Sequence, residues 1–275
     1  MSAVAEIAPA AVAAPRPARR RGQRRRALAA VLVPLGFALS ILALWEAAVR
    51  IAALPPYILP APSNFLGVLV ARHEPILMMA AQTARATLMG FAIGVSLGVV
   101  LGSIIGSSRA IYRMVYPALI GFHTIPSVAL IPLFVIWFGA GPHIAVITAV
   151  VVCFFPVTVI MATAIATSAP ELDDVLRSLG ATRADVMLKV ALPRAMPQFF
   201  GSLKLAITGA FIGTIVAETI AANAGIGYVM VVATNNMDGA LAFAALSVLA
   251  AMGVTLYAAS LFLERRLTGW AYRGR

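Results

Sequence analysis

Long stretches of apolar residues without a charge limit most strongly what this chain can fold into. The stretch from Ala27 to Trp45 has 19 residues and no charge, close to the roughly 20 that a membrane-spanning helix needs. Of the 275 residues, 61% are hydrophobic and 11% are charged, whereas about 25% are charged in an ordinary soluble domain. A water-soluble fold needs far more polar surface, so the sequence predicts a membrane protein.

The apolar stretches predict an all-α membrane protein with six transmembrane helices. The first stretch is too long for a signal peptide, whose apolar core has about 7–15 residues. Pro117, Pro126 and Pro132 are expected to kink or break the third helix. The six spans are predicted at about 28–51, 78–107, 115–138, 143–167, 196–220 and 240–263.

The chain outside the spans divides into two tails and one long polar loop. Residues 1–26 are rich in Ala, Pro and Arg and are predicted to be disordered. Residues 27–267 form the transmembrane domain, which includes the loop 168–195, and residues 268–275 form a short second tail.

Basic residues predict how the chain is oriented in the membrane. Residues 1–26 contribute +6 of the formal net charge of +11, which argues against a nucleic-acid-binding surface. Every second loop is basic, whereas the loops near 139–142 and 221–239 have no Lys or Arg. Under the positive-inside rule both termini are cytoplasmic. Besides the arginines of residues 1–26, the basic residues in the segments predicted to be cytoplasmic are Arg109, Arg113, Arg177, Arg183, Lys189, Arg194, Arg265, Arg266, Arg273 and Arg275.

Glycine recurs at every fourth position of the second span. This spacing places the glycines on one helix face and predicts close packing against another helix. The same stretch contains a G-x-S-x-G pattern around Ser96, which suggests an intramembrane serine protease as an alternative. That pattern needs a strand-to-helix turn, whereas Ser96 is expected in mid-helix. The glycines are Gly90, Gly94, Gly98, Gly102 and Gly106.

A few polar residues in or near the spans are candidates for a translocation path or gate. Ionisable groups at membrane depth are costly and usually face protein or water. Arg85 and Glu218 are the charged residues predicted within or at the ends of spans. Glu218, Asn223 and His123 are the path or gate candidates, and a purely structural role is the alternative for each.

Cysteine and histidine give no metal or disulfide signal. Cys153 is the single cysteine and lies in an apolar run, so we expect it to be a small buried hydrophobic residue. His73, His123 and His143 do not pair at metal-ligand spacing, so no metal site is predicted.

The loop 168–195 predicts a helix–turn–helix on the cytoplasmic face. Apolar residues recur at helical spacing from Leu172 to Leu179, and Gly180 suits the C-terminal cap. Thr182 and Asp185 approximate a capping box for a second helix, which Leu192-Pro193 is expected to close. Its mixed charge favours docking to a partner over binding to lipid.

The same loop resembles the "EAA" loop of ABC importer permeases. Gly180, nine further residues and then Val190-Ala191-Leu192-Pro193 match the second half of that motif. Asp174, Val175 and Leu176 stand at the Glu-Ala-Ala positions, where two alanines are replaced by larger residues. Leu59-Pro60-Ala61-Pro62-Ser63 and Gly225-Ile226-Gly227-Tyr228 further resemble the nitrate, sulfonate and taurine branch. The resemblance covers roughly residues 28–266.

This resemblance implies the permease subunit of an ATP-driven importer in the bacterial inner membrane, with the fold of type I importers. A second, usually identical permease, a cytoplasmic ATPase dimer and a periplasmic binding protein are the implied partners. The substrate would be a small anion or a small heterocycle such as a thiamine precursor. The residues implied in ATPase coupling are Glu171, Asp174, Val175, Leu176, Leu179, Gly180, Val190, Leu192 and Pro193.

No enzymatic activity or cofactor of its own is expected for this chain. ATP would be bound by the partner ATPase, and the sequence contains no G-x-x-x-x-G-K-[ST] motif. A self-sufficient secondary transporter is the remaining alternative, although such proteins favour internal repeats, and no convincing duplication of halves occurs in the sequence.

Overall fold

The structure, a computed structural model, describes residues 19–167, 175–176 and 178–268. All regular secondary structure in these ranges is helical. The helices are α1 (Arg19–Ile51), α2 (Pro62–Ala71), α3 (His73–Gly106), α4 (Arg109–His123), α5 (Ser127–Phe138), α6 (Pro142–Ala166), α7 (Arg183–Val186), a π-helical turn (Met187–Ala191), α8 (Leu192–Ile220), α9 (Ile226–Asn235) and α10 (Gly239–Thr268).

The chain divides into two compact units, Met1–Ala53 and Leu54–Arg275. In the first unit, α1 begins at Arg19, so residues 19–26, which the sequence analysis assigned to a disordered tail, are helical in the structure. Arginine and glutamine, which make up seven of these eight residues, are good helix formers, and this basic segment continues without a break into the apolar stretch. Residues 1–18 of the predicted tail lie outside the described residues.

Five helices are long and apolar enough to cross a membrane, and a sixth crossing results if α4 and α5 count as one span. These two helices meet at an angle of 89°. Of the three prolines expected to disturb this span, only Pro126 lies at the break, immediately before α5. Pro117 and Pro132 lie inside helices.

The glycine contacts of α3 show that α3 and α6 run parallel. A Cβ added at Gly98 would lie 2.9 Å from the Cβ of Val157, and one at Gly102 would lie 2.6 Å from the Cβ of Met161. Both pairs are separated by 59 residues. The contacts of Gly90 with Ala149, Gly94 with Cys153 and Gly106 with Ile165 repeat this separation.

Parallel packing of α3 and α6 requires the chain to return across the membrane between them. The end of α3 at Gly106 lies level with Ile165, whereas α6 begins at Pro142, level with residue 83 of α3. The residues between α3 and α6 must therefore return along the bundle over the length of about 23 helical residues, or roughly 35 Å. The bent α4–α5 pair is thus one crossing, not a re-entrant loop.

The direction of α8, the next long helix of the second unit, follows from its contacts with α6. Gly209 of α8 contacts Val152, and Gly213 contacts Thr148, so α8 runs antiparallel to α6. Two ends result. The loop end contains Gly106, Ala166 and Leu192, and the cap end contains residue 83, Pro142 and Ile220. Helix α6 packs against α3, α4, α5 and α8.

Two short helices, α2 and α9, were not predicted, and both lie at the cap end. Helix α2 precedes α3, and its Phe65 ring lies 6.3 Å from that of Phe243 in α10. Arg72 after α2 is 3.7 Å from Asp238 before α10. With ten residues each, these helices are too short to stand out as spans in the sequence.

Candidate functional site

The loop between α6 and α8 has a well-defined turn at Gly180. Val175, Leu176 and Ser178 are helical, and Gly180 has a φ of +87°, which a residue with a Cβ adopts at a cost. The amide of Ala181 donates to the carbonyl of Leu176 at 3.0 Å, as in a Schellman motif. The predicted C-cap is therefore confirmed, whereas Glu171 and Asp174 lie outside the described residues.

A capping box starts the second half of the loop, as predicted. The Asp185 amide donates to Thr182 Oγ1 at 3.2 Å, and the Thr182 amide donates to Asp185 Oδ2 at 3.2 Å. Each residue thus satisfies an amide that the first helical turn leaves without a partner. Lys189 Nζ also lies 2.6 Å from Asp185 Oδ1, one turn further along.

The helix does not end at Leu192-Pro193, so that prediction is wrong. One helical path continues from Ala184 to Ile220, with Pro193 in the first turn of α8, where its missing N–H is tolerated. The amide of Leu192 donates to the carbonyl of Met187, five residues back. This π-helical turn widens the helix where the proline ring would otherwise clash with the carbonyl of Lys189.

The two halves of the loop differ in burial. Ala191 and Ala195 are buried against Met161 and Ile165 of α6, so the second half is anchored to the bundle. In the first half, the side chains of Val175 and Leu179 are 55% and 77% exposed. Val190 and Leu192 are half-buried and Pro193 is exposed. Exposed apolar side chains beside an ordered turn suit a protein-docking surface.

At the cap end, Glu218 is 3% exposed and lies in a hydrogen-bond network. Thr83 of α3 donates from Oγ1 to Glu218 Oε2 at 2.9 Å, and the Gly227 amide donates to the same oxygen at 3.0 Å. The Ile226 amide donates to Thr83 Oγ1 at 2.9 Å. This arrangement joins α3, α8 and α9 and favours the structural alternative for Glu218.

The other two path candidates are not brought together with Glu218. Asn223 is exposed between α8 and α9, and His123 is exposed at the end of α4. Among the described residues, no hydrogen bond joins any two of the three. Thr83, the partner of Glu218, was not predicted, because threonine is common in apolar helices and no local pattern marks this one.

A second polar contact between spans was missed. Lys204 of α8 and Glu264 of α10 form an ion pair at 2.8 Å, with the two side chains 27% and 14% exposed. Arg85 and Glu218 are therefore not the only charged residues in the spans, because Lys204 lies within the predicted span 196–220. This one lysine was overlooked within an otherwise apolar run.

Comparison with known families identifies the chain. The family described as the binding-protein-dependent transport system inner membrane component matches residues 94–269, well over half of the sequence. The chain belongs to this family. It is thus a membrane-embedded permease component of an ABC importer, as the loop motif indicated.

Relatives of this permease support the family and its sulfonate and taurine branch. It is 30% identical over 240 residues to the formylaminopyrimidine transport permease protein of Halalkalibacterium halodurans, covering 87% of this chain and 96% of that protein. It is 27% identical over 248 residues to the taurine transport system permease protein of Escherichia coli K12, covering 87% of this chain and 90% of that protein.

A solved structure supports the fold of this permease. A chain of the MetNI methionine ABC transporter, in inward-facing conformations, matches with a TM-score of 0.56 and 19% identity. The match covers 73% of this permease and 97% of that chain. The predicted type I importer fold is confirmed.

Membership of this family also decides against the intramembrane protease alternative. The permease is a non-catalytic membrane subunit, so the intramembrane protease interpretation is wrong. Ser96 lies inside α3, and its hydroxyl donates to the Ala92 carbonyl at 2.7 Å. A serine in an unbroken helix lacks the strand-to-helix turn that the G-x-S-x-G pattern requires.

Proposed function

We propose that the loop end of this permease faces the cytoplasm and that the turn around Gly180 docks onto a partner ATPase. The observation that carries this proposal is the exposure of Val175 and Leu179 beside that turn. Movement of the ATPase would then reach the bundle through the anchored second half of the loop. Basic residues at this end, among them Arg109 and Lys189, support a cytoplasmic orientation.

We infer that the translocation path lies between two identical copies of this permease. Within one copy, α6 is surrounded by other helices, and residues such as Ile144, Cys153 and Val157 are fully buried. The described bundle is therefore filled with side chains along α6. A groove of about 280 Å³ between α8 and α10 is lined mainly by apolar residues such as Ile207 and Phe211, which does not suit an anion.

The substrate class is part of the proposal and is supported by the transport functions that the relatives' names give. We expect a small anion of the sulfonate or taurine type, or a small heterocycle such as a pyrimidine precursor of thiamine. A periplasmic binding protein would deliver it to the cap end. ATP would be bound and hydrolysed by the partner ATPase dimer, and the permease itself would need no cofactor.

Reconstitution in proteoliposomes tests this function. The permease with its cognate ATPase and binding protein should take up substrate when ATP is supplied, and the permease alone should not. Taurine and formylaminopyrimidine, offered separately, distinguish the two substrate classes. Uptake by the permease alone, driven by an ion gradient, would show a secondary transporter and contradict the proposal.

Three substitutions in one helical turn test the docking surface. Val175→Asp and Leu179→Asp place a charge on the exposed apolar side chains and should abolish co-purification of the ATPase. Ser178→Asp adds the same charge in the same turn, at an exposed position that is already polar, and should retain binding. Equal binding by all three variants would exclude this surface as the docking site.

A further inference from the structure

One carboxylate oxygen of Glu218 accepts hydrogen bonds from two other helices, α3 and α9. Both the Thr83 hydroxyl and the Gly227 amide donate to Oε2. Thr83 in turn accepts the Ile226 amide on the same hydroxyl. Two residues from long helices therefore bind the first two amides of the short helix α9.

These bonds matter because α9 begins without a capping side chain of its own. The first amides of a helix have no partner within the helix and need one from elsewhere. The residue at the N-cap is Gly225, which has no side chain to offer and a φ of +94°. The start of α9 therefore relies on Thr83 and Glu218 for its hydrogen bonds.

Glycine at two positions lets the start of α9 approach Glu218 closely. A Cβ at Gly225 would overlap with the Glu218 carboxyl group. A Cβ at Gly227 would lie 2.7 Å from the Ile215 carbonyl oxygen and 2.8 Å from Glu218 Cβ. The contact is thus one of backbone against side chain, with little room for either to shift.

We propose that Glu218 and Thr83 are positioning residues that fasten α9 to α3 and α8, so that these three helices move as one body during transport. The hydrogen bonds, and not a negative charge, do the fastening. The proposal deepens the proposed function, because it assigns a task in the transport cycle to a site at the end opposite the coupling loop. The transport part of the test depends on that function, but the structural part does not.

Conservative and disruptive variants separate the hydrogen bonds from the charge. Glu218→Gln keeps an oxygen at the Oε2 position and removes the charge, whereas Glu218→Leu removes both at similar size. Thr83→Ser keeps the hydroxyl, and Thr83→Val removes it. Thr87→Val is the matched control, because Thr87 lies one turn along α3, is equally buried, and its hydroxyl has no hydrogen-bond partner among the residues that the structure describes.

The first measurement is hydrogen–deuterium exchange of the peptide covering residues 221–235 in the purified permease complex. Loss of these bonds should raise the exchange rate of its protected amides about tenfold in Glu218→Leu and Thr83→Val. Glu218→Gln, Thr83→Ser and Thr87→Val should exchange like the native chain. Unchanged exchange in both disruptive variants would overturn the proposal.

The second measurement is substrate uptake per ATP hydrolysed by the reconstituted complex. Glu218→Leu and Thr83→Val should lower this ratio about fivefold or more while the ATPase remains bound, and the conservative variants should retain it within about twofold. A loss in Glu218→Gln equal to that in Glu218→Leu would show that the charge is required and would overturn the proposal. So would faster exchange without any change in the ratio.

The two measurements distinguish failure of this proposal from failure of the proposed function. If the native complex takes up no substrate, the proposed function fails while the exchange result still reports on how α9 is held. If Glu218→Leu does not fold, the Thr83→Val and Thr83→Ser pair carries the same test, because the Thr83 hydroxyl bonds both to Glu218 Oε2 and to the Ile226 amide.

Discussion

Gly98 of α3 lies against Val157 of α6, so closely that a Cβ on the glycine would be 2.9 Å from the Cβ of Val157. The same separation of 59 residues recurs along the whole contact. A glycine stripe thus does more than allow two helices to pack, because its constant register also fixes their relative direction and therefore requires the chain to cross the membrane between them.

Substitution of Gly98 should destabilise the permease. Gly98→Ala adds a methyl group where Val157 and the Phe154 carbonyl leave no room, and overpacking of this kind costs about 1–3 kcal/mol. Thermal unfolding in detergent should show the loss. Gly201→Ala is the control, because no described residue outside its own helical turns lies within 4 Å of the added Cβ. An equal fall in unfolding temperature for both variants would contradict close packing at Gly98.

Cysteine labelling should place the two ends of the bent α4–α5 pair on opposite sides of the membrane. Ser107→Cys precedes α4, and Ala140→Cys follows α5, and both positions are exposed. A membrane-impermeant maleimide should label Ser107→Cys only from the cytoplasmic side and Ala140→Cys only from the other side. The native Cys153 is fully buried and should stay unlabelled. Labelling of both variants from one side would indicate a re-entrant loop.

Gly180→Val should uncouple the permease from its ATPase without preventing membrane insertion. A left-handed backbone conformation costs a residue with a Cβ roughly 1–2 kcal/mol. Apart from the chain neighbours of Gly180, no described residue lies within 4 Å of the added Cβ, so we expect backbone strain to be the cause. Gly180→Asn should retain uptake and ATPase binding, because asparagine adopts this conformation readily. The assignment fails if Gly180→Val also retains both activities.

Removing one partner of the Lys204–Glu264 ion pair should cost more than removing both. Lys204→Met leaves the largely buried carboxylate of Glu264 with one fewer charged contact, which should lower the free energy of unfolding by about 1–3 kcal/mol. The double variant Lys204→Met with Glu264→Gln should recover most of that loss. A double-mutant cycle on unfolding temperatures checks this, and strictly additive effects would argue against coupling between the two side chains.

Features that depend on short-range rules were predictable from the sequence. The apolar runs predicted the long helices, and Thr182 with Asp185 predicted the capping box. Leu192-Pro193 misled because proline in a first turn is tolerated, and a preceding π-helical turn accommodates it. Helices α2 and α9 were missed because ten residues carry too weak a periodic signal.

The hydrogen-bond network at the cap end could not be predicted from the sequence, for a different reason. Thr83 and Glu218 are 135 residues apart, and their meeting depends on how α3 and α8 both pack around α6. No local pattern at Thr83 distinguishes it from Thr87, one turn away on the same helix. Only the tertiary arrangement shows which of the two hydroxyls meets the start of α9.

Helix α8 is long enough that a small tilt at one end produces a large displacement at the other. Its 29 residues extend for about 44 Å, from the exposed loop at one end to Glu218 near the other. A tilt of about 5° at the loop would displace the far end by about 4 Å. That is more than a hydrogen bond can stretch. If a partner tilts α8 in this way, either α3 and α9 move together with α8, or the hydrogen bonds at Glu218 break.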